Sequence, residues 1–302
     1  RLAFWRKNGK EDVLLKREGM DTEKSLKKTI WRFMVILCLI VFAVSVFGIV
    51  GTLLKANREK STFDDLIEMA EADVGVEQRN IDSDAAAEME TTEASEAGQT
   101  NSDHTGGVME EKPKRNYGLL KEKNPDFAGW LRIPDTKIDY PVMHTPDDMQ
   151  YYIRRDFYGE SSVSGTPFIG DFCSTDSGSM IIYAHNMKNG TMFGELDEYE
   201  SEDYRNKHSV LEFYTPDESR QYEIFAAFRT ELVYENQEGF RYYEYVGDMT
   251  EERFDEFMNQ LRQHSFYNTE SWPEYGDQLI ILSTCSYYTE NGRFVVVARR
   301  VE

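Results

Sequence analysis

Short apolar or alternating runs of strand length recur along the C-terminal two thirds of the chain. Eight such runs, with turn residues between them, predict strands at 130–133, 137–143, 166–170, 179–183, 209–214, 221–230, 278–283 and 294–301. The first two runs are joined by the turn Pro134-Asp135-Thr136. Eight short strands predict a mainly β domain that closes, or nearly closes, into a barrel.

Two segments of the same region have helical spacing instead. Residues 116–124 form one predicted helix. Residues 249–264 form a longer one, with Thr250 as the N-cap and acidic residues in its first turn. Its apolar residues fall on one face and are predicted to join the core: Phe254, Phe257, Met258 and Leu261.

A continuous apolar run near the N-terminus is much longer than the strand-length runs. Residues 33–54 contain no charge, and as a helix rising about 1.5 Å per residue they span a bilayer core of roughly 30 Å. A cleaved signal peptide and a buried core helix are the alternatives. The run is long for a signal peptide and no clear small-residue cleavage site follows it, so we interpret it as a retained transmembrane anchor in the lipid bilayer.

The flanking charges predict the orientation of this anchor. Residues 1–32 carry ten Lys or Arg, whereas the near outer flank carries only Lys55, Arg58 and Lys60. The positive-inside rule places the N-terminal segment 1–32 in the cytoplasm and the rest outside the cell. The prediction is a single-pass protein of the cell membrane with an extracellular C-terminal domain.

The segment 55–114 is predicted to be an acidic, mostly disordered spacer. Residues 61–111 hold fifteen Asp or Glu against one Arg and few large apolar residues, too few to offset the entropy of ordering. Only residues 61–72 suggest a short helix, with apolar positions at helical spacing: Phe63, Leu66, Ile67 and Ala70. The net charge of −21 argues against a nucleic-acid partner, which requires a basic surface.

Candidate chemistry lies at the end of the seventh predicted strand. The apolar run Ile-Ile-Leu-Ser-Thr-Cys ends at Cys285, and Arg293 opens the next strand after a short polar turn. His185 follows another apolar strand about a hundred residues upstream. A cation and a base near a thiol favour the thiolate, which is the nucleophile.

Taken singly, each residue has an ordinary structural explanation, since a lone Cys in an apolar strand is usually a small buried hydrophobe. Their joint occurrence, in order and with these flanks, favours a site.

The other histidines are poor bases: His104 lies in the spacer, His144 in a turn, and His208 and His264 at predicted helix ends. Cys38 falls inside the anchor, and a catalytic Cys285 leaves Cys173 without a partner, so a disulfide framework is not expected. No metal-ligand spacing or phosphate-binding motif is found, and no cofactor is expected.

The residues Leu282-Ser283-Thr284-Cys285, His185 and Arg293 resemble, in order, the signatures of the sortases, membrane-anchored cysteine transpeptidases of Gram-positive bacteria. The resemblance covers residues 115–302, the predicted extracellular catalytic domain, and implies an eight-stranded sortase-type β-barrel. The helix at 249–264 and the segments Asn124-Pro-Asp-Phe-Ala-Gly-Trp, Lys137-Ile-Asp-Tyr-Pro-Val and Met192-Phe-Gly-Glu-Leu are similar to those of class B sortases.

The resemblance implies that Cys285 cleaves a C-terminal sorting signal of Asn-Pro-x-Thr-Asn or Ser-Pro-x-Thr-Gly type after Thr, forming a thioester. His185 then acts as acid and base, and Arg293 stabilises the oxyanion. The implied partners are secreted proteins that bear the signal, and a peptidoglycan precursor or pilin amine as acceptor. Further candidates for substrate contact or positioning are Thr284, Ser283, Tyr183, Asn186, Tyr287 and Tyr288.

The chain departs from the family pattern at two places. Ala184 stands where Gly often precedes the His, and Ser286 and Tyr287 occupy the places where some class B members carry an acid after the Cys. Cell-wall anchoring is the favoured function and pilin polymerisation the alternative. Another cysteine peptidase or peptidoglycan hydrolase, and a non-catalytic wall-binding module, are the rival classes.

Overall fold

The computed structural model describes residues 31–51, 61–71, 115–234, 237–269, 272–289 and 291–301. They belong to two compact units, Arg1–Arg58 and Glu59–Glu302. In the first unit, helix α1 (Trp31–Gly51) is 21 residues long with a mean hydropathy of 3.1, long and apolar enough to cross a membrane. It covers most of the predicted anchor, 33–54. The remainder of that anchor, most of the predicted cytoplasmic segment 1–32, and residues 55–60 and 72–114 of the predicted spacer lie outside the described residues.

Eight strands form a closed barrel in the second unit, as the sequence predicts. The strands are β1 (Phe127–Arg132), β2 (Asp139–Met143), β3 (Phe168–Ile169), β4 (Ser179–Tyr183), β5 (Val210–Tyr214), β6 (Ser219–Glu231), β7 (Leu279–Cys285) and β8 (Gly292–Arg300). Their order around the barrel is β1-β2-β3-β4-β7-β8-β6-β5, and β5 closes onto β1.

Two neighbouring pairs are parallel, β2–β3 and β4–β7, and the others are antiparallel. In the β4–β7 pair, Ser179 lies opposite Leu279 and Tyr183 opposite Ser283. Parallel strands end at the same edge of a sheet, so the residues that follow β4 and β7 emerge together.

Strand β7 is built to bury both of its faces. It reads Leu-Ile-Ile-Leu-Ser-Thr-Cys, an apolar run of the kind found in strands covered on both sides. Every residue from Leu279 to Thr284 is buried, and the chain becomes exposed only at Cys285. The strand therefore brings a thiol from the core to the surface.

Among the described residues 115–301, one α-helix precedes the barrel, α3 (Tyr117–Lys123), and two lie between its strands, α4 (Glu202–Lys207) and α5 (Glu251–His264). Both predicted long segments, 116–124 and 249–264, are confirmed as helices. Helix α5 is capped by Thr250 and buries the four predicted apolar residues. One of them, Phe257, stacks on Tyr245 with the ring centroids 4.7 Å apart.

Helix α2 (61–71) belongs to the same compact unit as the barrel. Its apolar face is buried, and the ring of Phe63 packs edge-on against Tyr140 of β2 at 5.3 Å between centroids. Arg115 donates to Glu71 on the helix at 3.1 Å and to Asp139 of β2 at 2.7 Å. The helix predicted within the spacer is thus confirmed, and it is fastened to the barrel.

Candidate active site

Cys285 and Arg293 face each other across the β7–β8 hairpin. They are directly paired in the antiparallel register, next to the pair Thr284 and Phe294. Directly opposed residues of an antiparallel pair project from the same face, with Cβ atoms about 5 Å apart. The Cys285 side chain is exposed and its thiol is free. The hairpin thus pairs an accessible thiol with an arginine, whose Nη1 donates to the Gly292 carbonyl at 2.9 Å.

His185 reaches the same end of the barrel from the other side of β7. Tyr183 is level with Ser283 in the parallel β4–β7 pair, and the Ala184 N–H donates to the Ser283 carbonyl at 3.3 Å. Continuing this register places His185 level with Cys285. The structure therefore places the three predicted residues at the same end of three adjacent strands: His185 two residues after β4, Cys285 at the end of β7 and Arg293 near the start of β8.

Asn186 ties the His185 segment to the strand that carries the thiol. It is buried, and its Nδ2 donates to the Cys285 carbonyl at 2.9 Å and to Asp197 Oδ2 at 3.0 Å. The hydroxyl of Tyr287, in the β7–β8 turn, donates back to the Asn186 carbonyl at 2.6 Å. The Asn186–Cys285 and Tyr287–Asn186 bonds join residues 99 and 101 positions apart in sequence, so Asn186 and Tyr287 fix the spacing between base and nucleophile.

Ser283 and Thr284 lie beneath the site rather than on its surface. Both are buried, and both hydroxyls are already bonded within the protein. The Thr284 hydroxyl donates to the Ala184 carbonyl at 2.8 Å, and the Ser283 and Tyr242 hydroxyls are 2.8 Å apart. In this arrangement their side chains support the strands that carry Cys285 and His185.

Aromatic side chains surround the three residues. Tyr183 is partly buried and packs against Phe168 at 5.8 Å between centroids, whereas Tyr287 and Tyr288 are largely exposed. The guanidinium of Arg229, on β6, lies 5.6 Å from the Tyr288 ring. Of the predicted contact residues, Tyr287 and Tyr288 are thus the most accessible to a ligand.

The buried phenols next to the site stay neutral at ordinary pH. Burial raises the pKa of Tyr242 to about 12, although its hydrogen bond to Ser283 and the positive charge of Arg293 oppose the rise. Burial likewise raises the pKa of Tyr183 well above its usual range, again against the effect of Arg293. Neither phenol can act as a base, so proton transfer falls to the imidazole and the thiol.

Two further contacts were missed by the sequence reasoning. His185 Nε2 lies 2.8 Å from the backbone carbonyl of Ile153, in the loop between β2 and β3. Asp197, the acceptor for Asn186, follows β4 in a short 3-10 turn, Leu196–Glu200. A backbone carbonyl has no side-chain signature, and one aspartate among many offers no signal in the sequence.

No group of three or more His, Cys, Asp or Glu able to hold a metal ion occurs among the described residues. The groups available for chemistry at this end of the barrel are thus an accessible thiol, an imidazole and a guanidinium. Together they are typical of a cysteine enzyme that passes through an acyl intermediate.

Comparison with known proteins identifies the class. A model of the sortase domain matches residues 131–301. Sortase B of Listeria monocytogenes is 33% identical over 187 residues, which cover 60% of this chain and 72% of the relative. Sortase B of Staphylococcus aureus is 25% identical over 198 residues, covering 64% and 78% respectively.

Solved structures agree with these relatives. Sortase B from Bacillus anthracis in complex with AAEK1 has a TM-score of 0.53 and 29% identity, covering 62% of this chain and 85% of that one. The S. aureus sortase B–substrate complex has a TM-score of 0.60 over 82% of this chain and 99% of that one, and its 20% identity supports the fold alone. The chain belongs to the sortase family, in class B, and is a cysteine transpeptidase.

Proposed function

We propose that this protein is a membrane-anchored sortase that joins secreted proteins to cell-wall peptidoglycan. The observation that carries the proposal is the position of the three residues at one end of three adjacent strands, with Cys285 paired to Arg293 and His185 two residues beyond the β4 residue that pairs with Ser283. Helix α1 supplies the anchor, and the charge of residues 1–32 supports a cytoplasmic N-terminus with the barrel outside the cell.

In the first half-reaction the Cys285 thiolate attacks the carbonyl carbon of the Thr in a sorting signal. The carbonyl oxygen takes up the negative charge, and Arg293 stabilises it because a guanidinium donates hydrogen bonds and keeps its charge. The C–N bond then breaks, and the departing amine takes a proton from the His185 imidazolium. The product is a thioester between Cys285 and the Thr carbonyl.

The second half-reaction reverses the order with a new amine. Neutral His185 removes a proton as the incoming amine attacks the thioester, and the Cys285 sulfur leaves as thiolate. A new amide joins the surface protein to the acceptor, and the enzyme returns to its starting state. Tyr287 and Tyr288 are the proposed contacts for the signal, with Tyr183, Asn186, Thr284 and Ser283 supporting the site around them.

The signal is proposed to be of Asn-Pro-x-Thr-Asn or Ser-Pro-x-Thr-Gly type, and the acceptor an amine of the peptidoglycan cross-bridge. One solved sortase B structure is described as complexed with triglycine, a short peptide with a free amine, which supports an acceptor of that kind here. A pilin lysine is the alternative acceptor.

A transpeptidation assay on the full-length chain in detergent tests this function. The protein is incubated with peptides that carry either signal or Leu-Pro-x-Thr-Gly, with and without triglycine. We expect mass spectrometry to show the peptide cut after Thr and joined to triglycine. Cys285→Ala should abolish the product, and Arg293→Lys should retain part of the activity because it keeps the charge but not the planar donor pair. Cleavage of wall peptides that lack a sorting signal would instead favour a peptidoglycan hydrolase. Peptide binding that thiol reagents do not affect would favour a binding module.

A further inference from the structure

We propose that the backbone carbonyl of Ile153 sets the tautomer and orientation of His185, and that Gly165 is a positioning residue that makes room for this carbonyl. The proposal rests on the role of His185 in the proposed function. It assigns to the loop between β2 and β3 the orienting task that a carboxylate performs in other His-dependent sites.

The contact itself fixes the proton on the imidazole. His185 Nε2 lies 2.8 Å from the Ile153 oxygen, within hydrogen-bond range. A carbonyl can only accept, so Nε2 must carry the hydrogen, and the neutral ring keeps its lone pair on Nδ1. Among the described residues Nδ1 has no hydrogen-bond partner. Nδ1 is therefore the nitrogen that exchanges protons with the two amines, and Nε2 stays on the carbonyl throughout.

The loop that presents this carbonyl is closed on itself by backbone hydrogen bonds. Ile153 lies in the 3-10 turn Tyr151–Arg154. The Ser162 N–H donates to the Arg154 carbonyl at 3.0 Å, and the Thr166 N–H donates to the Tyr152 carbonyl at 3.1 Å. These bonds hold the two arms of the loop together on either side of Ile153.

The same loop is anchored to the barrel through Tyr152. This side chain is 2% exposed, and its hydroxyl donates to Asp126 Oδ2 at 2.8 Å and accepts from Asn124 Nδ2 at 2.8 Å. Both partners lie at the entry to β1. The residue next to Ile153 is thus fixed in the core, which limits the freedom of the carbonyl that faces His185.

Gly165 is required because the two arms of the loop approach closely at this point. Its φ of +63° lies in the left-handed region. A Cβ atom at this position would lie 2.5 Å from the Ile153 oxygen and 2.8 Å from the Tyr152 oxygen. Real Cβ atoms do not approach an oxygen so closely, so an alanine must displace the carbonyl that holds His185.

The tautomer is measured on the full-length protein in detergent, with isotope-labelled histidine. Two-bond proton–nitrogen spectra distinguish the two tautomers, and the His185→Gln variant identifies the His185 signal among the five histidines. We expect the Nε2–H tautomer in the unsubstituted protein at mildly alkaline pH. The Nδ1–H tautomer, or an even mixture, would overturn the proposal without any need for a variant to fold.

The activity of Gly165→Ala supplies the second test. We expect a mixture of tautomers and a fall in kcat of at least about tenfold, because small displacements of a catalytic group are costly, while KM changes less than about twofold. Gly159→Ala is the matched control. Gly159 lies in the same loop with φ +81°, but a Cβ there meets only the Tyr151 hydroxyl, at 3.3 Å. It should keep the wild-type tautomer and kcat.

A Gly165→Ala protein that retains both the Nε2–H tautomer and full kcat would contradict the positioning role. This failure is distinct from failure of the proposed function, which would appear as activity that survives Cys285→Ala. An enzyme that requires Cys285 but carries the other His185 tautomer would reject only the inference about Ile153 and Gly165.

Discussion

Replacing Asn186 by alanine tests the connection between the base and the nucleophile. The substitution removes two hydrogen bonds, one to the Cys285 carbonyl and one to Asp197. A bond between neutral groups contributes about 1 kcal/mol and a bond to a charged group about 2 kcal/mol, so the expected loss in unfolding free energy is about 3 kcal/mol. Because Asn186 is only 7% exposed, solvent does little to screen this loss.

The loss should appear in both stability and rate. For a folded unit of this size, about 3 kcal/mol corresponds to a fall in Tm of roughly 6 to 12 °C, measured by near-ultraviolet circular dichroism. We also expect kcat to fall by about ten- to a hundredfold, since the spacing between His185 and Cys285 is no longer held. Asn189→Ala is the control, because this exposed residue bonds only within its own turn, to Thr191.

Asp197 provides a second, sharper comparison. Its Oδ1 is already buried with no hydrogen-bond partner among the described residues, so Asn186→Ala leaves the whole carboxylate without a donor. Adding Asp197→Asn to Asn186→Ala removes that charge. The double variant should have an unfolding free energy about 1 kcal/mol or more above that of Asn186→Ala alone. An Asn186→Ala protein with unchanged Tm and unchanged kcat would refute the reasoning. A double variant less stable than Asn186→Ala would also contradict it.

Three further predictions concern the rest of the domain. Iodoacetamide should modify Cys285 and spare Cys173, because Cys285 is exposed whereas burial raises the pKa of the Cys173 thiol. Peptide mapping that finds Cys173 modified first would contradict this prediction. Phe63→Ala should reduce the unfolding free energy by about 3 kcal/mol in a denaturant titration, and an unchanged midpoint would mean that helix α2 does not stabilise the barrel. Burial raises the pKa of Tyr140 and Tyr242 to about 12, above the value of about 10 in the unfolded chain. The stability that these two phenols contribute should therefore be complete below about pH 10 and be lost as the pH rises towards 12. Tyrosinate absorbance that is already complete at pH 11 in the folded protein would contradict this prediction.

The strands, the long helix and the exposed position of Cys285 at a strand end could be predicted because each has a local signature. The apolar run ending at Cys285 predicts a strand that surfaces at a thiol, and the structure has that strand as β7. The four apolar positions of α5 predict its buried face, and all four are buried.

The supporting contacts could not be predicted because they depend on long-range placement. The parallel pairing of β4 with β7 is set by the closure of the barrel and not by either strand. The Ile153 carbonyl and Asp197 become partners of His185 and Asn186 only after that pairing is made. Ser283 and Thr284 were predicted as substrate contacts from their position next to the thiol, but the alternation of the strand and the cover over β7 bury both.

The direct test of the central claim is the identity of the residue that carries the acyl group. Full-length protein is mixed with a sorting-signal peptide in the absence of an amine, quenched in acid and digested for peptide mapping. We predict an adduct with the mass of the peptide cut after Thr, attached to Cys285, which disappears on addition of triglycine. A folded protein that turns over the peptide with no adduct on Cys285, or with the adduct on another residue, would contradict the assignment of Cys285 as the nucleophile.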